Sequence, residues 1–238
     1  MTDLDALRTL TVPTLANAVE AFGVVPANAG YNLQPLTCHF PTLGMCVGYA
    51  ATLHATTNRP PDDAPPALDE PEYWRWLASL AARGPLIAVL EDLDDPPGGA
   101  MWGEWNSHVH VALGCVGTIT QGAVRDLDAL ERLGFHTFAT SVSVAHGYGA
   151  FVDYGAPATV AGLTIATGDL LVADGHGVLR IPPEIPIADL VAAGREIDRL
   201  ESEIFAHTRS REFSVESLTR LQESVLARWP RGPHTGAI

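Results

Sequence analysis

Two short motifs, separated by twenty residues, carry side chains that could do chemistry together. Gly103-Glu104 follows the glycine-rich turn "PPGGA", and Arg125-Asp126 follows the apolar stretch "GCVGTITQGAV". Free backbone amides at a helix start bind carboxylates, and an arginine fork beside a carboxylate can bind an anionic oxygen and a metal ion together. The two motifs predict facing sides of one site for a divalent cation and an acidic small molecule.

Each of these residues also has a purely structural interpretation. Glu104 could interact favourably with the dipole of its helix, which stabilises by about 0.3–1 kcal/mol. Asp126 stands where a helix N-cap belongs, and losing such a cap costs about 1 kcal/mol. Arg125 could form an ordinary ion pair. Their joint position favours function, because ligands of layered α/β folds lie at the carboxyl ends of strands and a predicted strand leads into Arg125-Asp126.

Histidines close to Glu104 raise a second possibility. His108 follows Glu104 by four residues, on the same face of the predicted helix, and His110 completes an HxH pair that could bind zinc. On a helix these two histidines point to different sides, so we expect His108 to line a pocket beside Glu104. The stretch Asp174-Gly-His176-Gly is predicted as a hairpin turn, and His146 has no assigned role.

Tryptophans flank the first motif on both sides. Trp102 and Trp105 lie immediately before Gly103 and after Glu104. They could wall a site, or they could belong to the core. The sequence alone leaves both interpretations open.

The elements that must position these residues alternate between strands and helices, then become rich in short strands, which is typical of one α/β domain over residues 1–238. Residues 59–72 are predicted as a surface loop or flap, and residues 186–238 as a helical tail. The predicted helices are 13–22, 73–84, 103–113, 127–133, 186–207 and 215–229; the predicted strands are 46–54, 85–92, 116–121 and 136–144, with several short strands in 158–182.

Composition narrows the chemistry. The chain has 238 residues and a formal net charge of −14, which argues against nucleic acid or an anionic membrane as its partner. All 14 basic residues are arginine, so lysine Schiff-base chemistry and a Walker phosphate loop are excluded within this chain. No apolar run reaches the roughly 18 residues of a membrane span, and no export signal is visible. Three cysteines without a CxxC pair suit a reducing compartment, and we expect a cytoplasmic protein.

The order Gly-acid, twenty residues, Arg-Asp resembles the RraA-like family, which includes metal-dependent 4-hydroxy-4-methyl-2-oxoglutarate / 4-carboxy-4-hydroxy-2-oxoadipate aldolases. The flanking text "GCVGTITQGAVRDLDALERLGF" and the later "VAGLTIATGDLLVADGHGVLRIP" are similar to that family as well. The resemblance implies an α-β-β-α sandwich of the swivelling β/β/α type. It also implies trimers or hexamers, with sites at subunit interfaces and the helical tail packed on a neighbouring subunit.

The resemblance also assigns roles to residues. Asp126 would bind Mg²⁺ or Mn²⁺ directly, Glu104 would hold the metal through a water, and Arg125 would contact a 2-oxo acid. The backbone after Gly103, at Trp105 and Asn106, would receive the substrate carboxylate. An acid from the neighbouring subunit's tail would complete the site; Glu201 matches best, with Glu203 and Glu196 as alternatives.

The resemblance thus implies a divalent-metal-dependent carbon–carbon lyase that cleaves or decarboxylates a 2-oxo acid through a pyruvate enolate. Two alternatives remain: a non-catalytic regulator that binds a ribonuclease, and a pathway-specific lyase or hydrolase that reuses the metal site. The chain departs from the family pattern at Glu104, which replaces an aspartate, and at Trp105-Asn106-Ser107-His108, which replaces small apolar residues. These departures put the named aldolase substrates in question.

Overall fold

The computed structural model describes residues 2–231, which form eleven strands and seven α-helices. Residues 232–238, at the end of the predicted helical tail, lie outside the described part. The strands are β1 (Thr37–Cys38), β2 (Cys46–Thr56), β3 (Leu86–Asp92), β4 (Ala100–Trp102), β5 (Cys115–Val124), β6 (His136–Val142), β7 (Ala150–Tyr154), β8 (Ala158–Val160), β9 (Leu163–Ile165), β10 (Leu170–Asp174) and β11 (Gly177–Ile181). The helices are α1 (Asp3–Leu7), α2 (Val12–Phe22), α3 (Glu70–Leu80), α4 (Glu104–Ala112), α5 (Leu127–Leu133), α6 (Ile187–Thr208) and α7 (Val215–Arg228). None of the described helices is both long and apolar enough to cross a bilayer.

The chain divides into two compact units. One is the continuous stretch Gly30–Ile181, and the other combines the segment up to Ala29 with the segment from Pro182 onward. The first unit contains all the strands together with α3, α4 and α5. The second contains α1, α2, α6 and α7. The expectation of a single domain over the whole chain stays a prediction.

A nine-stranded sheet organises the first unit. Its main path runs β1-β6-β5-β3-β2-β10-β11, with β4 paired to β5 and β7 paired to β2. The neighbours β6, β5, β3 and β2 are parallel, so their carboxyl ends share one edge. β2 and β3 are buried along almost their whole length, as continuous apolar runs covered on both faces require.

Two buried clusters form the core on the sheet. One includes Leu53, Leu77 and the fully buried Trp102, and the other includes Val89 and Phe138. Trp102 therefore belongs to the core, which resolves one of the two possibilities left open for it.

Several element boundaries differ from the predictions. β5 continues three residues past residue 121, to Val124. The three-residue β4 (Ala100–Trp102) lies where no strand was predicted. Helix α3 begins at Glu70, because the Asp69 carboxylate accepts a hydrogen bond from Glu72 N at 2.8 Å. The predicted surface loop therefore ends at residue 69.

In three of the longer described helices, the side chain of the residue just before the helix accepts a hydrogen bond from a backbone amide of the first turn. Thr11 accepts from Thr14 N at 3.2 Å, Asp69 caps α3, and Ser214 accepts from Ser217 N at 3.1 Å. Such local caps satisfy amides that the helix leaves without acceptors. Helices α4, α5 and α6 lack side-chain caps of this kind, and the first two of these begin at the candidate site.

Candidate metal and anion site

The start of α4 packs directly on the turn that follows β5. Gly103 is the N-cap residue of α4, and its backbone is extended. A Cβ atom built on Gly103 would lie 2.5 Å from Asp126 Oδ2 and 3.0 Å from Arg125 Cγ. Real Cβ atoms do not approach other atoms that closely. A larger residue at position 103 would therefore displace the side chains of the second motif.

Asp126 does not cap its own helix. It is the N-cap residue of α5, but its backbone is left-handed, with φ 58° and ψ 37°, and its side chain makes no capping hydrogen bond to α5. Instead, Asp126 Oδ2 accepts a hydrogen bond from Glu104 N at 3.0 Å. A left-handed backbone is uncommon in residues other than glycine, although aspartate adopts it more often than most, and here it turns the carboxylate away from α5. The carboxylate thus sits at the positive end of α4, where a negative charge is stabilised.

Arg125 lies beside this carboxylate. Its Nε is 3.6 Å from Asp126 Oδ2, and its backbone N donates to Trp102 O at 2.9 Å, which joins β4 to the turn after β5. Both side chains are partly exposed, Arg125 at 36% and Asp126 at 40%. Among the described residues Asp126 Oδ1 accepts no hydrogen bond, so this oxygen remains available to a ligand.

A shallow cavity of about 540 Å³ brings both motifs together. It is lined by Glu104, Trp105, His108, Val109, Arg125 and Asp126. His108 Nε2 lies 3.9 Å from Glu104 Oε1, one helical turn away. The predicted site residues from Gly103 to Asp126 therefore lie in this cavity or directly beside it. Trp105 lines the cavity, whereas Trp102 does not.

A second, smaller cavity of about 200 Å³ adjoins the first. It is lined by Ala100, Met101, Gly103, Trp105, Asn106, Arg125, His146 and Gly149. Trp105 and Arg125 border both cavities. Sequence reasoning left His146 unassigned. Gly99 packs closely against the backbone of His146, and this contact brings the loop that carries His146 to the site. In the sequence, only the adjacent glycines Gly98 and Gly99 indicate that another segment could approach so closely.

Side chains of α4 hold its first turn in place. Asn106 Nδ2 donates to Met101 O at 2.7 Å, and Ser107 Oγ donates to Gly103 O at 2.9 Å. Ser107 N is the first amide of α4 to bond within the helix, to Gly103 O at 3.1 Å. The amides of Trp105 and Asn106 precede it, in the turn where a helix supplies no acceptors. They can therefore receive an anionic oxygen, as the resemblance predicts.

His110 is a buried positioning group. Its Nδ1 lies 2.7 Å from Asn106 O, and its Nε2 lies 2.7 Å from the Tyr73 hydroxyl. Because a carbonyl can only accept, Nδ1 carries the proton and Nε2 accepts from Tyr73. Burial lowers the pKa of His110 to about 4, and burial raises the pKa of Tyr73 well above its usual value. His110 is thus neutral and faces away from His108, as expected for an HxH pair on a helix.

The described residues include no group of three or more His, Cys, Asp or Glu side chains placed to hold a metal ion. A structural zinc site, which needs four such ligands, does not fit. Mg²⁺ and Mn²⁺ fit the donors better, because Mg²⁺ is commonly bound through one or two carboxylates while it keeps several waters. Glu104 and Asp126 are two carboxylates on one cavity, and Asp126 has an oxygen without a protein donor.

The acids expected from a neighbouring subunit's tail lie on α6. Glu196 and Glu203 are both paired with Arg199, at 2.6 and 2.7 Å, and Glu203 is also paired with Arg228 at 2.7 Å. Hydrogen bonds from Arg228 lower the pKa of Glu203 to about 2, because, together with the hydrogen bond from Arg199 and the charges of both arginines, they outweigh the opposing effect of desolvation. In the described part of the chain, the Glu201 side chain has no hydrogen bond or ion pair. It is the acid of the three that is free to bind elsewhere.

His176 lies in the turn between β10 and β11, where its Nδ1 is 3.1 Å from Asp174 Oδ1. The predicted hairpin turn at 174–177 is confirmed by the pairing of Asp174 with Gly177.

A second pair of acids supports the loop that leads to the site. Asp94 Oδ2 accepts from Thr57 N at 2.8 Å and Asn58 N at 2.7 Å, and Asp94 Oδ1 is 2.5 Å from Arg59 Nε. Asp92 accepts from Thr57 Oγ1 at 2.6 Å and from Asp94 N at 3.0 Å. Both aspartates are buried. They join the ends of β2 and β3 and fix the beginning of the loop that carries Gly98 and Gly99.

Comparison with known proteins identifies the family to which this chain belongs. The RraA-like family model, described as Aldolase/RraA, matches residues 12–180. The chain therefore belongs to the RraA-like family, and the resemblance noted from the motifs is confirmed at the family level. The aldolase branch within that family stays a prediction.

The individual proteins that resemble this chain share only part of its length or a low sequence identity with it. Protein DlpA of Legionella pneumophila is 31% identical over 84 residues, which are 34% of this chain and 14% of DlpA, so the chain spans a small part of that relative's length. An uncharacterized protein from Pseudomonas syringae pv. tomato is 22% identical with a TM-score of 0.65, and the match covers 93% of each chain. Streptomyces coelicolor RraAS2, from the RNase ES inhibitor RraA protein family, is 19% identical with a TM-score of 0.59, covering 87% of this chain and 96% of that one. These structural likenesses confirm the predicted RraA-like α/β fold.

Proposed function

We propose that this protein is a divalent-metal-dependent carbon–carbon lyase that acts on a 2-oxo acid by retro-aldol cleavage, decarboxylation or both. The observation that carries the proposal is the conformation of Asp126. Its left-handed backbone turns the carboxylate away from α5 and onto the start of α4, next to Glu104 and Arg125. A residue that served only as a cap would have bonded its own helix, as Asp69 does.

The proposed metal ligands are Asp126, bound directly, and Glu104, bound through a water. When bound, Mg²⁺ or Mn²⁺ polarises the 2-oxo group and stabilises the negative charge that develops on its oxygen. Glu201 of a neighbouring subunit is the proposed third acid. This part of the proposal requires a homo-oligomer, and we propose a trimer or hexamer.

Arg125 binds the substrate by its guanidinium, which suits carboxylate and oxo oxygens because it presents several donors in a fixed fork. The backbone amides of Trp105 and Asn106 receive the carboxylate at the positive end of α4. The two contacts hold the pyruvyl group in one orientation, and orientation of this kind lowers the barrier substantially.

In the proposed reaction Glu104 accepts, through a water, the proton of the hydroxyl on C4. The C3–C4 bond then breaks, its electron pair forms the pyruvate enolate, and Arg125 stabilises the developing oxyanion. The proton held by Glu104 returns to C3 and gives pyruvate. For oxaloacetate the same electron flow releases carbon dioxide. Because the chain contains no lysine, an imine on a lysine of this chain cannot provide the electron sink.

The test measures pyruvate release from oxaloacetate and from 4-hydroxy-4-methyl-2-oxoglutarate, with Mg²⁺, with Mn²⁺ or with a chelator. We expect turnover that stops in chelator and returns when either metal is restored. Full activity in chelator would contradict the metal-dependent route. Binding to a ribonuclease without any lyase activity would favour the regulator, and turnover of neither compound by folded, metal-loaded protein would favour a different lyase or hydrolase.

A further inference from the structure

Trp105 is unusual among the tryptophans near the site. Its indole is 79% exposed, although Trp102, three residues earlier, is fully buried. Trp105 borders both cavities, and His108 and Val109 line the larger one beside it. Positions 105, 108 and 109 are spaced so that they share one face of α4. This face forms an aromatic and apolar wall next to Glu104 and Asp126.

The larger cavity therefore has two chemically different parts. One part carries Arg125 and the two carboxylates, and the other carries an indole, an imidazole and an isopropyl group. A cavity of about 540 Å³ is within the range that holds drug-sized ligands. A pyruvyl group has only roughly six non-hydrogen atoms and leaves most of that space to the rest of the substrate.

The wall favours a neutral aromatic group over the alternatives. Flat rings gain from stacking on Trp and His rings beyond the area they bury. An anionic group on this wall would lie beside the Glu104 carboxylate, which repels it. A cationic group would be attracted by Glu104 and Asp126 and would compete with the proposed metal ion for them. An uncharged aromatic ring is neither repelled by Glu104 nor a competitor of the metal.

We propose that Trp105, with His108 and Val109, forms a subsite for an aromatic group attached to the carbon chain of the substrate, so that the substrate class is an aryl-bearing 2-oxo acid. The inference deepens the proposed function and rests on it for the position of the 2-oxo acid. Trp105 is then a residue that determines specificity by side-chain stacking, in addition to its backbone contact.

The test is calorimetric binding of three 2-oxo acids that lack the C4 hydroxyl, measured with Mg²⁺ present: 2-oxobutanoate, 2-oxoglutarate and 2-oxo-4-phenylbutanoate. We expect the phenyl compound to bind at least tenfold more tightly than 2-oxobutanoate, which corresponds to about 1.4 kcal/mol. Trp105→Ala should remove this preference, and Trp105→Phe should keep most of it. Tyr31→Ala, which removes an aromatic side chain that is 37% exposed and lines neither cavity, should leave the preference unchanged.

Equal affinity for the three compounds, no binding of any of them, or a preference that survives Trp105→Ala would each overturn the inference. Pyruvate release from oxaloacetate, which has no aromatic group, tests the proposed function separately. An aryl preference that depends on Trp105, together with no pyruvate release from any substrate, would support the subsite and reject the lyase.

Discussion

Two pairs of acids lie at the carboxyl ends of neighbouring strands, and the protein treats them in opposite ways. Asp92 and Asp94, at and just after the end of β3, are buried. Their carboxylates accept hydrogen bonds from Thr57 and Asn58, and the Asp92 carboxylate also accepts one from Asp94 N. Glu104 and Asp126, after β4 and β5, are partly exposed, and Asp126 Oδ1 has no donor among the described residues. The carboxylate oxygens of the first pair are hydrogen-bonded within the protein, whereas the second pair keeps an oxygen available to a ligand.

The ionisation of the buried pair follows from these contacts. Burial raises the pKa of Asp92, and its hydrogen bonds only partly oppose this. Burial acts in the same direction on Asp94, but the backbone hydrogen bonds from Asn58 and Thr57 and the charge of Arg59 outweigh it and lower the pKa of Asp94. An acid at a strand end is therefore not by itself evidence of a site. The occupancy of its oxygens distinguishes the two cases.

The largest expected effect is on catalysis. Asp126→Asn should reduce turnover of the best substrate by roughly 10³-fold, because it removes the charge that the metal requires. Stability should fall by no more than about 1 kcal/mol, because asparagine tolerates the left-handed region, keeps an oxygen for Glu104 N and loses only the interaction of the charge with the start of α4. Steady-state kinetics and urea denaturation measure the two effects.

Asp128→Asn is the matched control for Asp126→Asn. It removes an exposed acid from the first turn of the same helix, where Asp128 lines neither cavity. An equal loss of turnover in both variants would mean that overall charge, and not a ligand position, controls the reaction.

Asp94→Ala should show the reverse pattern. The free energy of unfolding should fall by roughly 2–4 kcal/mol, because two amides and Arg59 lose their buried acceptor. The activity per folded molecule should fall far less than in Asp126→Asn. Urea denaturation followed by kinetics on the folded fraction tests both statements. A stable but inactive Asp94→Ala variant would contradict the structural role assigned to the buried pair.

Gly103→Ala should give a smaller loss of turnover, roughly 10- to 100-fold, because the new methyl group displaces the Asp126 carboxylate and Arg125. Gly175→Ala is the control, since a Cβ at Gly175 would meet nothing within 4 Å. Kinetics of both variants under saturating Mg²⁺ measure the effect. Wild-type turnover in Gly103→Ala would show that the close approach has no bearing on catalysis.

The smallest effect concerns acid stability. The pKa of Asp94 is lower in the folded protein than in the unfolded chain, where it is about 3.9. Its stabilising contribution is present above that value and is lost as the pH falls through the folded pKa. We expect the gap in unfolding free energy between wild type and Asp94→Ala to narrow as the pH falls below about 4. A gap that widens on acidification would contradict this assignment.

Local signals predicted much of the fold. The helix at 127–133 was predicted with the bounds of α5, and the strand at 46–54 lies within β2, because apolar periodicity and turn residues are encoded in a few neighbouring residues. Short strands such as β4 and β7 were missed, since three to five residues carry little periodicity and their pairing partners lie far along the chain.

The same difference between local signals and long-range contacts holds for the candidate site. The spacing of Gly103-Glu104 and Arg125-Asp126 predicted that the two motifs would meet. The hydrogen bond from Glu104 N to Asp126 could not be read from the sequence, because Asp126 also fits a local cap. His146 was missed for a similar reason, as it reaches the cavity through packing against Gly99, a contact between distant segments.

The most direct test of the central claim is the binding of Mn²⁺ itself, followed by electron paramagnetic resonance of the free ion. The account predicts one saturable site per chain in the wild-type protein and in Asp94→Ala under conditions where that variant is folded. The site should be lost or weakened at least tenfold in Asp126→Asn, a change of about 1.4 kcal/mol. Wild-type affinity in Asp126→Asn would contradict the assignment of Asp126 and Glu104 as the metal site.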